Sequence, residues 1–74
     1  MTTFPAITGD RLIRALRKLG FEVIRTKGSH HFLQHQYGRC TVVPLHRSET
    51  IGRGLLAQIL RDCEIRKNEL QKKL

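Results

Sequence analysis

Between Thr8 and Gly20 the apolar residues Leu12, Ile13, Ala15, Leu16 and Leu19 recur at the spacing of one helical face. Thr8 supplies a side-chain oxygen to cap the first turn, and Gly20 suits the left-handed residue just past the last. The period then changes. "FEVIRTK" (Phe21 to Lys27), "HHFLQHQ" (His30 to Gln36) and "RCTVVP" (Arg39 to Pro44) are short and rich in β-branched and aromatic residues. Gly28-Ser29 and Tyr37-Gly38 separate them, so the simplest arrangement is an antiparallel meander. "LHRSETIGRG" follows Pro44 as the longest irregular stretch, a common setting for function. Helical spacing returns from about Gly54 to Asp62, with Leu55, Leu56, Ile59 and Leu60 expected on the buried side and Cys63 following on the same face. "IRKNELQKKL" can add a short amphipathic helix through Ile65, Leu70 and Leu74.

The order is therefore α+β, αβββα with an optional third helix: a three-stranded antiparallel sheet with helices on one face, the economical way to cover this much apolar surface. Residues 1–74 are expected to form a single domain, with 1–7 as an N-terminal extension in which Pro5 favours extended chain, and 66–74 as a short helix or tail.

At 74 residues the chain is too short for a deep, closed catalytic cavity, so any chemistry is expected at the surface. Fourteen Lys and Arg against six Asp and Glu give a formal charge of +8, which attracts polyanions and makes nucleic acid the first partner to consider. No long apolar run, signal peptide or lipidation motif points to a membrane or to export, and a cytoplasmic location is expected. Cys40 and Cys63 have no paired spacing and read as reduced, small hydrophobic residues. The charges Arg11, Arg14 and Lys18 along one side of the first helix read as a solvated face.

Three of the four histidines fall in "HHFLQH". On a strand, His31 and His35 point the same way but sit roughly 13 Å apart, too far to share an ion, and no CxxC or HExxH partner accompanies them, so no metal or other cofactor is expected. Alternation puts His30, Phe32 and Gln34 on one face and His31, Leu33 and His35 on the other; both faces are mixed, and periodicity does not choose the core. His35 reads as a packing residue. His30 and His31 differ because they follow Lys27-Gly28-Ser29, a turn whose hydroxyl and amides can hold a phosphate oxygen. An imidazole free in water titrates at about pH 6.5 and can accept and return a proton near neutrality. Metal-free RNA cleavage asks for that: a base takes the proton of a ribose 2′-hydroxyl, which attacks the adjacent phosphorus, while a cation stabilises the added charge. Lys27 and Arg25 are the local cations. The two histidines face opposite ways, so only one of them occupies a given site directly.

"LIRALRKLGFEVIRTKGSHHFLQHQYGRCTVVPLH" followed by "IGRGLLAQILRD" resembles the HicA (YcfA-like) toxins, the small mRNA interferases of bacterial toxin-antitoxin pairs. Three separated signatures agree in order: the leucine-rich helix ending in Gly20-Phe21, the Lys27-Gly28-Ser29-His30 turn, and Val43-Pro44 followed by His46. The resemblance implies a fold like a double-stranded-RNA-binding domain, metal-independent endoribonuclease activity through one essential histidine, and neutralisation by a HicB-type antitoxin. In family members that histidine usually follows the Gly-Ser pair, here His30, and in some it stands one residue later, at His31; Gly28 and Ser29 would shape the turn and Lys27 would contact phosphate. His46 matches a recurrent position. Two departures stand out: Gly54-Leu55-Leu56-Ala57 lacks the basic residue often found at the start of helix two, and Cys63-Glu64 replaces its usual Ala-Gly ending.

Two other functions compete with an mRNA-cleaving toxin. A non-catalytic module of double-stranded-RNA-binding type would use the same basic surface to recognise RNA by shape. An acidic antitoxin protein could instead occupy that surface and compete with RNA.

Overall fold

A computed structural model describes residues 6–46 and 49–74, so the sequence expectations for residues 1–5 of the N-terminal extension, and for Arg47 and Ser48 of the long loop, lie outside the described residues. The elements run α1 (Gly9–Lys18), β1 (Phe21–Lys27), β2 (His30–His35), β3 (Cys40–Pro44), α2 (Arg53–Cys63) and α3 (Lys67–Gln71). The strands form one antiparallel sheet in the order β1-β2-β3. This is the expected αβββα order with a short third helix, and its one-sided layering is that of a double-stranded-RNA-binding domain. Among the described residues no helix is long and apolar enough to cross a membrane.

Helix α1 starts where the side chain of Thr8 accepts a hydrogen bond from the Arg11 amide at 3.3 Å. Leu12, Ile13, Ala15 and Leu16 are buried, and Gly20 turns the chain into β1 with φ +98°, a conformation that L side chains resist. A Cβ there would also stand 2.8 Å from Nε2 of His35, so the turn and the packing of that histidine depend on the same missing methyl.

The sheet settles which face of β2 is the core. Leu33 is fully buried, as are Val43 and Phe21, while Thr41 beside them is nearly so. Helix α1 packs over β1 and β3, and α2 over β3, on this side only. The apolar cluster continues through Leu56, Ile59, Leu60, Cys63 and Leu70. Leu55 departs from expectation: it is 39% exposed, because the i, i+3, i+4, i+7 stripe of α2 runs through Leu56, Ile59, Leu60 and Cys63 and leaves Leu55 at its edge. Ile7, expected in the extension, is instead part of the core at 1% exposure, and its carbonyl accepts from the Ile51 amide at 2.7 Å.

At their shared turn β2 ends one residue earlier, and β3 starts one residue later, than the sequence suggests. The Gly38 amide bonds to the His35 carbonyl at 2.8 Å and the His35 amide to the Arg39 carbonyl at 2.7 Å, so Gln36, Tyr37 and Gly38 form a three-residue loop. The far end of α2 lacks a glycine and still closes as a Schellman motif: the Ile65 amide bonds to the Leu60 carbonyl at 3.0 Å and the Glu64 amide to the Arg61 carbonyl at 3.1 Å. Glu64 takes the left-handed position with φ 56°.

Polar groups tie α2 to β3. The buried Thr41 hydroxyl donates to one Asp62 carboxylate oxygen at 3.2 Å, Gln58 donates to the other at 2.8 Å, and Arg39 donates to the Cys63 carbonyl at 3.0 Å. Burial, assisted by the negative charge of Asp62, pushes the Cys63 thiol up to about 12. Both cysteines are free, as read from the sequence; Cys63 is buried, whereas Cys40 alternates with Thr41 and is exposed on the opposite side of the sheet.

Candidate functional site

The hairpin between β1 and β2 has a two-residue loop, with Lys27 and His30 directly opposite each other. Gly28 has φ 59° and occupies the first loop position, where a type II′ turn takes glycine. The space a Cβ would point into is open, leaving the turn approachable from outside. The Ser29 carbonyl accepts two hydrogen bonds, one from the Leu45 amide at 2.7 Å and one from Nδ1 of His31 at 3.2 Å. A carbonyl has no proton to give, so Nδ1 of His31 is the donor and Nε2 is left as the basic nitrogen. This shared acceptor binds the turn to the end of β3 and to the start of the loop that carries His46.

A β-bulge decides which charges accompany the histidines. Val23 pairs with Leu33 and Arg25 with Phe32, so β1 holds one residue more than β2 across this step, and Ile24, 58% exposed, is the extra one. Without it Arg25 and Lys27 would share the face of Phe21 and point at the helices. With it they join His30, Phe32 and Gln34 on the open face, together with Val42 and Pro44 of β3. Glu22 is the only acidic residue whose strand position belongs to that face.

The two members of the histidine pair therefore lie in different surroundings. His30 is exposed, its side chain makes no hydrogen bond among the described residues, and it stands across from Lys27 with Cβ atoms about 5 Å apart. His31 is half-buried at the rim of the helix-covered face. The Arg25 guanidinium lies over the Phe32 ring, 5.6 Å from the centroid. His35, at the other end of β2, packs edge-on against Phe21 and stacks on Tyr37, with ring centroids 5.1 Å apart in each pair. Its Nδ1 accepts from the Tyr37 amide at 3.2 Å, which makes it the packing residue expected. His46 is exposed in the loop after β3.

Phe32 is the residue whose part sequence reasoning missed. Alternation places it beside His30, but only the bulge brings an arginine over it. Among the described residues no three His, Cys, Asp or Glu side chains converge where they could hold a metal ion. Helix α2 begins at Gly52 without a side-chain cap and with no acid in its first turn, and Arg53 is exposed there.

Compared with protein families, the chain matches the model described as "HicA toxin of bacterial toxin-antitoxin" over residues 9–65, a span that contains α1, the whole sheet and α2. No curated protein matches it.

Proposed function

The chain belongs to the HicA toxin family of bacterial toxin-antitoxin pairs, and from that premise we propose that it is a metal-independent endoribonuclease, an mRNA interferase, with His30 as its general acid and base. Family membership implies an antitoxin partner; a HicB-type protein acting in the cytoplasm is the one proposed, with residues 1–74 proposed as a single domain.

The observation that carries the reading is an exposed imidazole facing a lysine across a tight, open turn. A phosphate held by Lys27 and the Gly28-Ser29 amides brings the neighbouring ribose to His30. The imidazole takes the 2′-hydroxyl proton as that oxygen attacks phosphorus. The same proton then goes to the departing 5′-oxygen, leaving a 2′,3′-cyclic phosphate and a free 5′-hydroxyl. Lys27 balances the charge that builds on the phosphoryl oxygens. An exposed site suits a polymer substrate that must enter from the side.

One observation favours His31 as the alternative base. Its Nδ1–H is already held by the Ser29 carbonyl, which fixes the ring and presents Nε2. Incubating RNA with the purified protein in chelator at low salt, beside His30→Ala and His31→Ala, separates the two. The expected result is loss of cleavage in His30→Ala with RNA binding retained. Loss in His31→Ala alone transfers the role to that residue, and undiminished cutting by both variants overturns the mechanism. A parent protein that binds without cutting is the RNA-binding module instead.

A further inference from the structure

Among the described residues the open face of the sheet carries one aromatic side chain besides the His30 imidazole, the half-buried Phe32, which lies outside the core cluster. Phe32 sits between Arg25 on β1 and Val42 on β3, both exposed, on the side away from the helices. The fold's own core is complete on the other side, where Leu33, the next residue, is 0% exposed. The Arg25 guanidinium lies over the Phe32 ring. His30 precedes Phe32 by one pleat on the same face, about 6 to 7 Å along the strand. A ring with an arginine above it, Lys27 two residues along the same face of β1 and Glu22 as the acidic strand position of that face is the composition of a nucleobase platform.

We infer that Phe32 and Arg25 form a stacking subsite for an unpaired RNA base adjoining the phosphate held at His30. The inference rests on the reading of this face as the RNA-cleaving site and names how substrate is seated there. The present gap between guanidinium and ring is too narrow for a base. Arg25 is exposed and its side chain is long, so the guanidinium swings outward and closes on the far side of the entering base, giving a ring, base and guanidinium stack. Only an unpaired base offers both of its π-faces in this way; a base inside a duplex has them covered by its neighbours. The subsite therefore selects single-stranded RNA. Because every base has a π-face, it does so with little regard to sequence.

The test uses a single-stranded oligoribonucleotide that contains 2-aminopurine and carries 2′-O-methyl groups, so that the parent chain binds without cutting it. Parent protein is expected to quench the fluorescence as the base stacks. Phe32→Ile keeps an apolar, β-branched strand residue but has no π-face; it is expected to lose the quenching and roughly 10-fold to 100-fold in affinity. Phe32→Tyr should keep both, and Arg25→Lys, which keeps the charge but not the plane, should lose part of each. Far-UV circular dichroism of each variant shows that the sheet is intact, and Arg25→Lys leaves the ring in place should Phe32→Ile fail to fold. Parental quenching and affinity in both Phe32→Ile and Arg25→Lys overturn the subsite. So does a Phe32-dependent interaction with poly-glutamate but not with RNA, which would assign the platform to an acidic protein. Cleavage of unmodified RNA by His30→Ala and His31→Ala is followed in parallel: a nuclease assignment that fails while the quenching persists leaves the stacking site standing, and the reverse removes the stacking site alone.

Discussion

On the helix side of β2, Leu33 is buried, the His31 ring is bonded to the Ser29 carbonyl, and the His35 ring is packed between Phe21 and Tyr37. On the other side, one residue away along the same strand, the His30 side chain is exposed with no hydrogen bond among the described residues, and Phe32 has an arginine over it in place of a core. Among the described residues no buried side-chain nitrogen or oxygen lacks a partner, so the covered face has no unmet demand for hydrogen bonds. On the open face the His30 imidazole and the Lys27 ammonium have no side-chain hydrogen bond or ion pair among the described residues, and the Arg25 guanidinium lies over the Phe32 ring. One face holds the fold together and the other is available to a ligand, and consecutive residues of a six-residue strand serve the two ends.

The contrast predicts which changes cost activity and which cost stability. The largest effect should come from His30→Ala, which is expected to lower the RNA cleavage rate by roughly 100-fold to 10,000-fold, the range for losing a general acid-base group, with an unchanged urea midpoint. Leu33→Ala should do the opposite, costing about 3 kcal/mol of stability through lost burial and an unfilled cavity. Its denaturation midpoint should fall far below the parent's, while protein still folded at low temperature cleaves at the parental rate per folded molecule. Gly20→Ala should cost about 1 to 2 kcal/mol, because φ +98° is unfavourable for alanine and the new Cβ meets the His35 ring. Thermal melting measures the loss, and cleavage by the folded fraction should be unaffected, since His35 is at the other end of the strand from His30. The smallest effect should be a gain. Glu64→Gly relieves the left-handed strain at the end of α2 and is expected to add about 0.5 to 1 kcal/mol in urea titration, with no change in RNA binding. A Leu33→Ala that cut RNA poorly even when folded would show that the two faces are not separable.

Much of this was legible because it is local. The α1 stripe, its Thr8 cap and its Gly20 ending appear as read, since each depends on residues within a turn or two of one another. The Gly28-Ser29 hairpin is placed correctly for the same reason, as is the separation of His30 from His31 onto opposite faces. The misreadings came from longer range. Ile7 looked like part of a tail because nothing nearby in sequence shows that Ile51 will bond to it. Leu55 looked buried because a run of apolar residues does not say which of them lies at the edge of a helix-sheet contact. Glu64 shows a further limit: a Schellman ending can form without its usual glycine when Ile65, packed against the core, holds the chain beyond it.

The element order, the two hairpins and the two histidines beside a basic turn can be read from the order of residues alone, because side-chain periodicity and turn chemistry act over a few residues. Tertiary structure decided which of those histidines meets solvent, since alternation along a strand is symmetric until helices cover one side. It also decided which cations stand with it. The extra residue at Ile24 turns Arg25 and Lys27 over to the face of His30, and such a bulge exists only in the register between two strands, which neither strand's own sequence contains.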